Sequence, residues 1–211
     1  MAPVAYGIGL PPEAPVPDLL DLAEGAERLG YDCVWVNDER LERDPFTVLA
    51  AIAMRTRRIR IGPGVTNPYS RHPALLATAA ATLDELSGAR AVLGIGAGGT
   101  NHAALGITRE APVVALREAL SVIRGLLSGE TVTVEGRVIR AVEAKLGFEA
   151  RPGLPIYVGA RGPKVLELAG ELADGVIVGN VASEAGWTYA LERISTGVDR
   201  AGRKLGEVAL V

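Results

Sequence analysis

Cysteine, aromatic side chains and concentrated positive charge are all scarce in this chain of 211 residues. Its one cysteine, Cys33, excludes an internal disulfide. Cys33 falls inside the apolar run Cys33-Val34-Trp35-Val36 and reads as core filling rather than as a reactive thiol. Only two Phe and two Trp are present, too few for base-stacking platforms. Net charge is −3 with Lys and Arg scattered, so no nucleic-acid surface is expected. No Lys or Arg precedes Arg28, which does not read as a secretory leader. The longest segment free of Asp, Glu, Lys and Arg, residues 91–108, carries five glycines plus Asn101 and His102. That is a strand and a loop, not a membrane span. A cytoplasmic protein without a metal site is the expectation.

What remains is 48% hydrophobic and 22% charged, the balance of a soluble globular chain. Its length suits a single domain, 1–211, burying roughly 70% of its unfolded surface. Short, apolar, non-alternating runs predict strands at Val4–Leu10, Cys33–Val36, Ile59–Val65, Ala91–Gly96, Pro155–Ala160, Gly175–Gly179 and Val208–Val211. Helical spacing lies between them. Leu19, Leu22, Ala23, Ala26 and Leu29 mark the first helix, which stops at Gly30; the others span Pro45–Thr56, Pro73–Ser87, Val114–Gly129, Pro163–Ala173 and Glu184–Ala201. Several open on or beside proline, as a first helical turn allows. One irregular piece, Thr131 to Arg151, reads as an inserted hairpin turning at Glu135-Gly136. This α/β alternation fits a (β/α)8 TIM barrel better than an open doubly wound sheet, because no Gly-x-Gly-x-x-Gly follows the first strand. A barrel typically needs about 250 residues. The expectation is therefore a barrel truncated after its seventh strand.

Arg60-Ile-Gly-Pro-Gly-Val-Thr-Asn-Pro-Tyr-Ser-Arg-His-Pro73 is the most informative segment. A β-branched strand runs into a Gly-Pro-Gly break, then a polar tip, Thr66-Asn67, and prolines steer the chain toward a helix. Such strand ends are typical of ligand sites on α/β folds.

With this segment, the blocks Ala81-Thr-Leu-Asp-Glu-Leu-Ser87, Leu93-Gly-Ile-Gly-Ala-Gly98 and Pro155-Ile-Tyr-Val-Gly-Ala-Arg-Gly-Pro163 with Ala173-Asp-Gly175 resemble the bacterial luciferase-like superfamily. The similarity is to its branch using the deazaflavin coenzyme F420, methylenetetrahydromethanopterin reductases above all. The resemblance implies a cofactor at the C-terminal strand ends, a non-prolyl cis peptide at Gly64–Val65, hydride transfer to or from a small organic, pterin-like substrate, and a homodimer. FMN is the alternative cofactor, in a luciferase-like monooxygenase; a non-catalytic flavin-binding protein is the third reading.

Residue by residue, the resemblance implies a ring pocket backed by Gly64, Val65, Thr66 and Asn67, with Asp38 contacting ring or substrate. A capping carboxylate is the other reading of Asp38. It implies a phosphate or polar-tail site at Gly159, Ala160, Arg161, Gly162 and Pro163, where a helix start and the cations Arg161 and Lys164 attract anions; an exposed loop with solvated charges is the alternative. Gly98, Asn101 and His102 would meet the ring edge, with His102 as a proton-transfer candidate or a solvated loop residue. Asn180 would face the site, and His72 reads as structural. Two departures stand out. Where the reductases carry a glutamate at the end of the first strand, this chain has Gly9; where F420-dependent sugar-phosphate dehydrogenases have a strand-four glutamate and a strand-two histidine, it has Gly99 and Glu39. Proton transfer would then fall to His102, Glu39, Asp38 or water.

Overall fold

The computed structural model describes residues 5–211 apart from Arg40, Gly99, Thr100, Asn101, Asn180 and Ala182. Strands β1 (Gly7–Leu10), β2 (Cys33–Val36) and β3 (Arg60–Pro63) alternate with helices α1 (Val16–Arg28), α2 (Pro45–Arg55) and α3 (Pro73–Ser87). Then come β4 (Leu93–Gly96), α4 (Pro112–Leu127) and an antiparallel hairpin, β5 (Val132–Glu135) with β6 (Arg140–Ala144). The alternation resumes with β7 (Ile156–Ala160), α5 (Pro163–Leu172), β8 (Gly175–Val178), α6 (Glu184–Arg200) and β9 (Ala209–Leu210). Each helix from α2 to α5 has proline as its first residue, where a missing N–H costs nothing.

All ladders outside the hairpin are parallel, in the orders β1-β2-β3 and β4-β7-β8-β9. Two isolated bridges, Ile61 to Ala91 and Thr66 to Ile95, join the two sheets. The result is one array of seven parallel strands with helices outside, the arrangement of a (β/α)8 barrel. The array curls. Trp35 on β2 and Tyr157 on β7, far apart in strand order, meet with ring centroids 5.8 Å apart. Cys33 and Val92 pack with them in the interior, and burial pushes the Cys33 thiol up to about 12, which makes it inert. Two larger apolar layers lie between strands and helices, one on each half of the array. Strands buried on both faces account for the non-alternating sequence pattern.

The hairpin falls where the sequence places it, although its turn is 136–139 and closes with Gly136 N–H donating to the Ile139 carbonyl. The Glu118 carboxylate of α4 holds that turn, accepting from the backbone N–H groups of Arg137, Val138 and Ile139. These donors draw the Glu118 carboxyl below its ordinary value against the opposing effect of burial. Among the described residues, no helix is long and apolar enough to cross a membrane.

Candidate active site

The joint between β3 and β4 is where the site begins. From Ile61 to Thr66 is five steps, while the facing stretch from Ala91 to Ile95 is four, so the β3 side carries one extra residue. A bulge of this kind bends the chain and re-aims a side chain. The side chain re-aimed is Val65, and the Gly64–Val65 peptide bond is cis, as the resemblance implies. Val65 leans across the strand ends. A Cβ placed on Gly96 would come within 2.7 Å of a Val65 methyl, and one on Gly159 within 2.9 Å. Beneath the bulge, a Cβ on Gly64 would meet the Trp35 Cβ at 2.7 Å. The glycines of the Leu-Gly-Ile-Gly and Val-Gly-Ala segments therefore accommodate the bulge; the interior Trp35 supports it from below.

Above the bulge opens a cavity of about 500 Å³. That volume lies within the ~300–1,000 Å³ typical of small-molecule and cofactor sites. Its wall is formed by Gly64, Val65 and Asn67 after β3, by Gly96, Ala97, Gly98 and His102 after β4, and by Gly159, Ala160, Arg161, Gly162 and Val165 around the β7–α5 junction. Asn37, Asp38 and Glu39 close one side; Arg109, Ile177 and Gly179 complete it. Of the residues assigned to the site from sequence, Thr66, Pro163 and Lys164 do not line the cavity. Thr66 is fully buried and its hydroxyl donates to Asp38 Oδ2 at 2.6 Å, so it acts behind the wall. Pro163 is the first residue of α5. Asn101, Asn180 and Gly99 lie outside the described residues. Asn37, Ala97, Arg109, Val165, Ile177 and Gly179 were not anticipated. Asn37 and Gly179 had a signal, since each directly follows or ends an expected strand at the same rim.

Two polar networks brace this wall. In the first, Asp38 Oδ2 accepts from the Thr66 hydroxyl and from Arg71 Nε at 3.3 Å. Arg71 also binds Asp44, and its guanidinium lies 5.5 Å from the centre of the Phe46 ring. Asp44 caps α2 by accepting from the Thr47 N–H. Burial works to raise the Asp44 carboxyl, but its hydrogen bonds from Thr47 and Arg71 prevail and hold it below the ordinary value. Among the described residues Asp38 caps no helix, and Thr66 and Arg71 are both donors to it, so it serves as an acceptor at the cavity edge.

In the second network, Asn67 Oδ1 accepts from the backbone N–H groups of Tyr69 and Ser70, at 3.1 and 2.9 Å, and faces His102 Nε2 at 3.3 Å. An amide oxygen cannot donate, so Nε2 carries the proton and Nδ1 is the ring's acceptor. His102 is buried, and burial followed by the nearby Arg109 charge lowers its proton affinity below the ordinary histidine value. It is therefore neutral near pH 7. It is not the solvated loop residue allowed by one reading of the sequence. Tyr69 packs edge-on against its ring at a centroid distance of 5.3 Å. His72, by contrast, accepts from Ala74 N at the start of α3 and contacts the Arg140 carbonyl of the hairpin, a structural position.

The cavity has a directional electrostatic character. Asn37, Asp38 and Glu39 offer acceptors on one side, Arg109 and Arg161 offer positive charge, and the N-terminal turn of α5 adds its partial positive charge beside Arg161. Between them the wall is mostly glycine, alanine and valine.

Comparison with known proteins identifies relatives of this fold. A 5,10-methylenetetrahydromethanopterin reductase from Methanolobus tindarius is 42% identical over 206 residues, covering 97% of this chain and 63% of the relative. An F420-dependent glucose-6-phosphate dehydrogenase from Nakamurella multipartita is 35% identical over 205 residues, covering 90% of this chain and 60% of the relative. The solved structure of the coenzyme F420 dependent tetrahydromethanopterin reductase from Methanopyrus kandleri superposes with a TM-score of 0.92 at 34% identity, over 99% of this chain and 65% of that one. The chain thus spans about three fifths of the length of these relatives. The luciferase-like monooxygenase family model matches residues 2–211, and the chain belongs to that family.

Proposed function

We propose that this chain acts as an F420-dependent oxidoreductase that moves a hydride between the deazaflavin and a small organic, pterin-like substrate. The observation that carries the reading is the cavity on the Gly64–Asn67 bulge, lined largely by small residues and by Arg161 beside the start of α5. A planar ring system needs the first and an anionic tail the second. Relatives named as F420-dependent enzymes and as methylenetetrahydromethanopterin reductases support the choice of cofactor and substrate class.

Bound F420 would supply hydride transfer; this chain supplies binding, orientation and proton management. Gly64, Val65 and Asn67 would back the ring, while Gly98 and His102 would bound its edge. Gly159, Ala160, Arg161 and Gly162 would take the tail. The acceptors Asp38 and Glu39 suit donor groups on ring or substrate. Neutral His102, with Nε2–H committed to Asn67, can take a proton only at Nδ1, so it fits a base better than an acid.

The test is a titration with F420, a tail-less deazaflavin and FMN, read by melting temperature, which only a ligand preferring the native state raises. F420 should stabilise the protein, and Arg161→Ala should weaken F420 more than the tail-less compound. Tight FMN binding with no F420 affinity would replace this reading with a monooxygenase. Binding neither would remove the redox assignment.

We also read the chain as a cytoplasmic homodimer former. On α3, Leu75, Thr78, Thr82 and Leu86 form an exposed row, and both threonine hydroxyls bond back to carbonyls of their own helix. An uncharged stripe of this kind suits a second copy. Leu75→Glu should convert a dimer to monomer in light scattering; a wild-type monomer at micromolar concentration would end the idea.

A further inference from the structure

The geometry points to Arg109 as an anion-recognising residue of the cavity, set in place by Tyr69 and acting from a different wall than Arg161. This inference rests on the proposed cofactor reading and extends it: the ligand set would include an anionic oxygen group, phosphate or carboxylate, beyond what Arg161 and the α5 terminus hold.

Three observations lead there. First, Arg109 and Arg161 are the two arginines of the cavity lining, and among the described residues no carboxylate forms an ion pair with either. Most other described arginines are committed: Arg71 to Asp38 and Asp44, Arg117 to Glu171, Arg124 to Asp174, Arg151 to Asp84. An arginine left without an acid on a cavity wall has its planar fork available for a ligand oxygen pair.

Second, the backbone on either side of Arg109 is held in place. The segment leading to α4 is tied at one end by Ile107 N–H donating to the His102 carbonyl at 2.8 Å. At the other end, the Tyr69 hydroxyl donates to the Glu110 carbonyl at 2.6 Å. Tyr69 is itself fixed, its N–H on Asn67 Oδ1 and its ring against His102. The bulge, His102 and the Arg109 segment thus share one tyrosine. Third, the Arg109 charge is felt at both rings: it disfavours the imidazolium of His102 and favours the phenolate of Tyr69, although burial outweighs it there and raises the Tyr69 hydroxyl overall. Arg109 and His102 line the same cavity.

The anion has two sources, the tail of the cofactor or an acidic group on the substrate, and the experiment separates them. Arg109→Ala, Arg109→Lys and Tyr69→Phe are titrated with F420, with the tail-less deazaflavin, and with inorganic phosphate added to F420-saturated protein. Arg109 is exposed, so its substitution should leave the melting temperature of the free protein unchanged. Loss of a charge-assisted contact should weaken binding by about tenfold or more. A tenfold loss for F420 but not for the tail-less compound assigns Arg109 to the cofactor tail. Unchanged F420 affinity with a tenfold loss for phosphate assigns it to the substrate. Tyr69→Phe should reproduce part of either loss and add nothing in the Arg109→Ala background. If Arg109→Ala changes neither F420 nor phosphate binding by more than twofold while Arg161→Ala weakens F420, the Arg109 assignment is overturned and the cofactor reading stands. Failure of the unaltered protein to bind F420 would instead overturn the cofactor reading.

Discussion

Gly96→Ala tests the bulge directly. The added methyl would sit 2.7 Å from a Val65 methyl and 3.4 Å from the Gly159 carbonyl oxygen. Carbon atoms in contact prefer about 3.5–4.0 Å, so Val65 must retreat by about 1 Å. Overpacking of this size costs about 1–3 kcal/mol. Against it stands the gain of about 0.4–1 kcal/mol from a stiffer unfolded chain. The net expectation is a loss of about 1–2 kcal/mol, or roughly 2–8 °C in melting temperature for a chain of this size.

The same number would follow from any generic disturbance, so the decisive measurement is a double-mutant cycle with Val65→Ala. Val65 is partly buried, and trimming it alone should cost about 1 kcal/mol. If the two side chains collide, the double variant should be no worse than Val65→Ala, a coupling of about 1–2 kcal/mol. Urea unfolding of the four proteins gives the cycle. Losses that add to within about 0.5 kcal/mol would refute the claim that Gly96 exists to accommodate Val65. Gly25→Ala serves as control: in α1 the new methyl meets only the Arg28 side chain, at 3.8 Å, and should show no coupling to Val65.

The other predictions concern charge. Asp84, nearly fully buried in α3, receives Arg151 through two bonds of 2.7 and 3.0 Å and the Ala91 N–H at 3.1 Å. Asp84→Asn breaks a pair whose arginine is about a third exposed, so the loss should fall at about 2–4 kcal/mol, below the range for fully buried pairs. Ligand affinity at 20 °C should be unaffected, and a large affinity loss in folded protein would contradict the position given to Asp84. His102 supplies a pH dependence. Its native proton affinity is lowered, so between the ordinary histidine value near 6.5 and the native value the unfolded chain binds a proton that the folded chain does not. Its stabilising contribution is present above about pH 6.5 and falls as the pH drops below it. His102→Gln, which keeps a donor for Asn67, should remove that part of the slope between pH 7.5 and 5; identical slopes in the two proteins would rule the burial argument out.

Much of the fold can be read from composition and spacing, for physical reasons. Strands enclosed on both faces leave continuous apolar runs, and proline at the first residue of α2, α3, α4 and α5 marks helix starts. The break at Gly64–Val65 could be placed only through the family resemblance, since Gly-Pro-Gly by itself also fits an ordinary strand-to-helix turn. Arg109 could not. It sits in a segment without helix or strand whose position depends on one long-range bond, Tyr69 to Glu110, and no local pattern encodes a contact across 41 residues. Thr66 was placed on the cavity wall because alternation beyond a bulge cannot be inferred without knowing where the extra residue lies.

The four sequence blocks that carry the family likeness divide between the two ends of the array. The Gly62–Pro73 block and the ends of the Leu93–Gly98 and Pro155–Pro163 blocks meet at the cavity. The other two segments do structural work away from it. Asp84 binds Arg151 and the chain entering β4, while the Ser87 hydroxyl accepts from Arg90 N–H. Asp174 accepts from the Ile156 N–H at the start of β7 and from Arg124, and a Cβ on Gly175 would strike the Tyr157 ring at 2.7 Å. In a parallel barrel the C-terminal strand ends carry chemistry and the N-terminal ends carry stability. The split has a consequence for how variants behave. Substitutions at Asp84 or Asp174 should act through the amount of folded protein, and those at Arg109, Arg161 or His102 through ligand affinity or pH profile. Tyr157 and Trp35 connect the ends, since they fill the interior between Gly175 and the Gly64 bulge. A change at either should therefore register in both measurements at once.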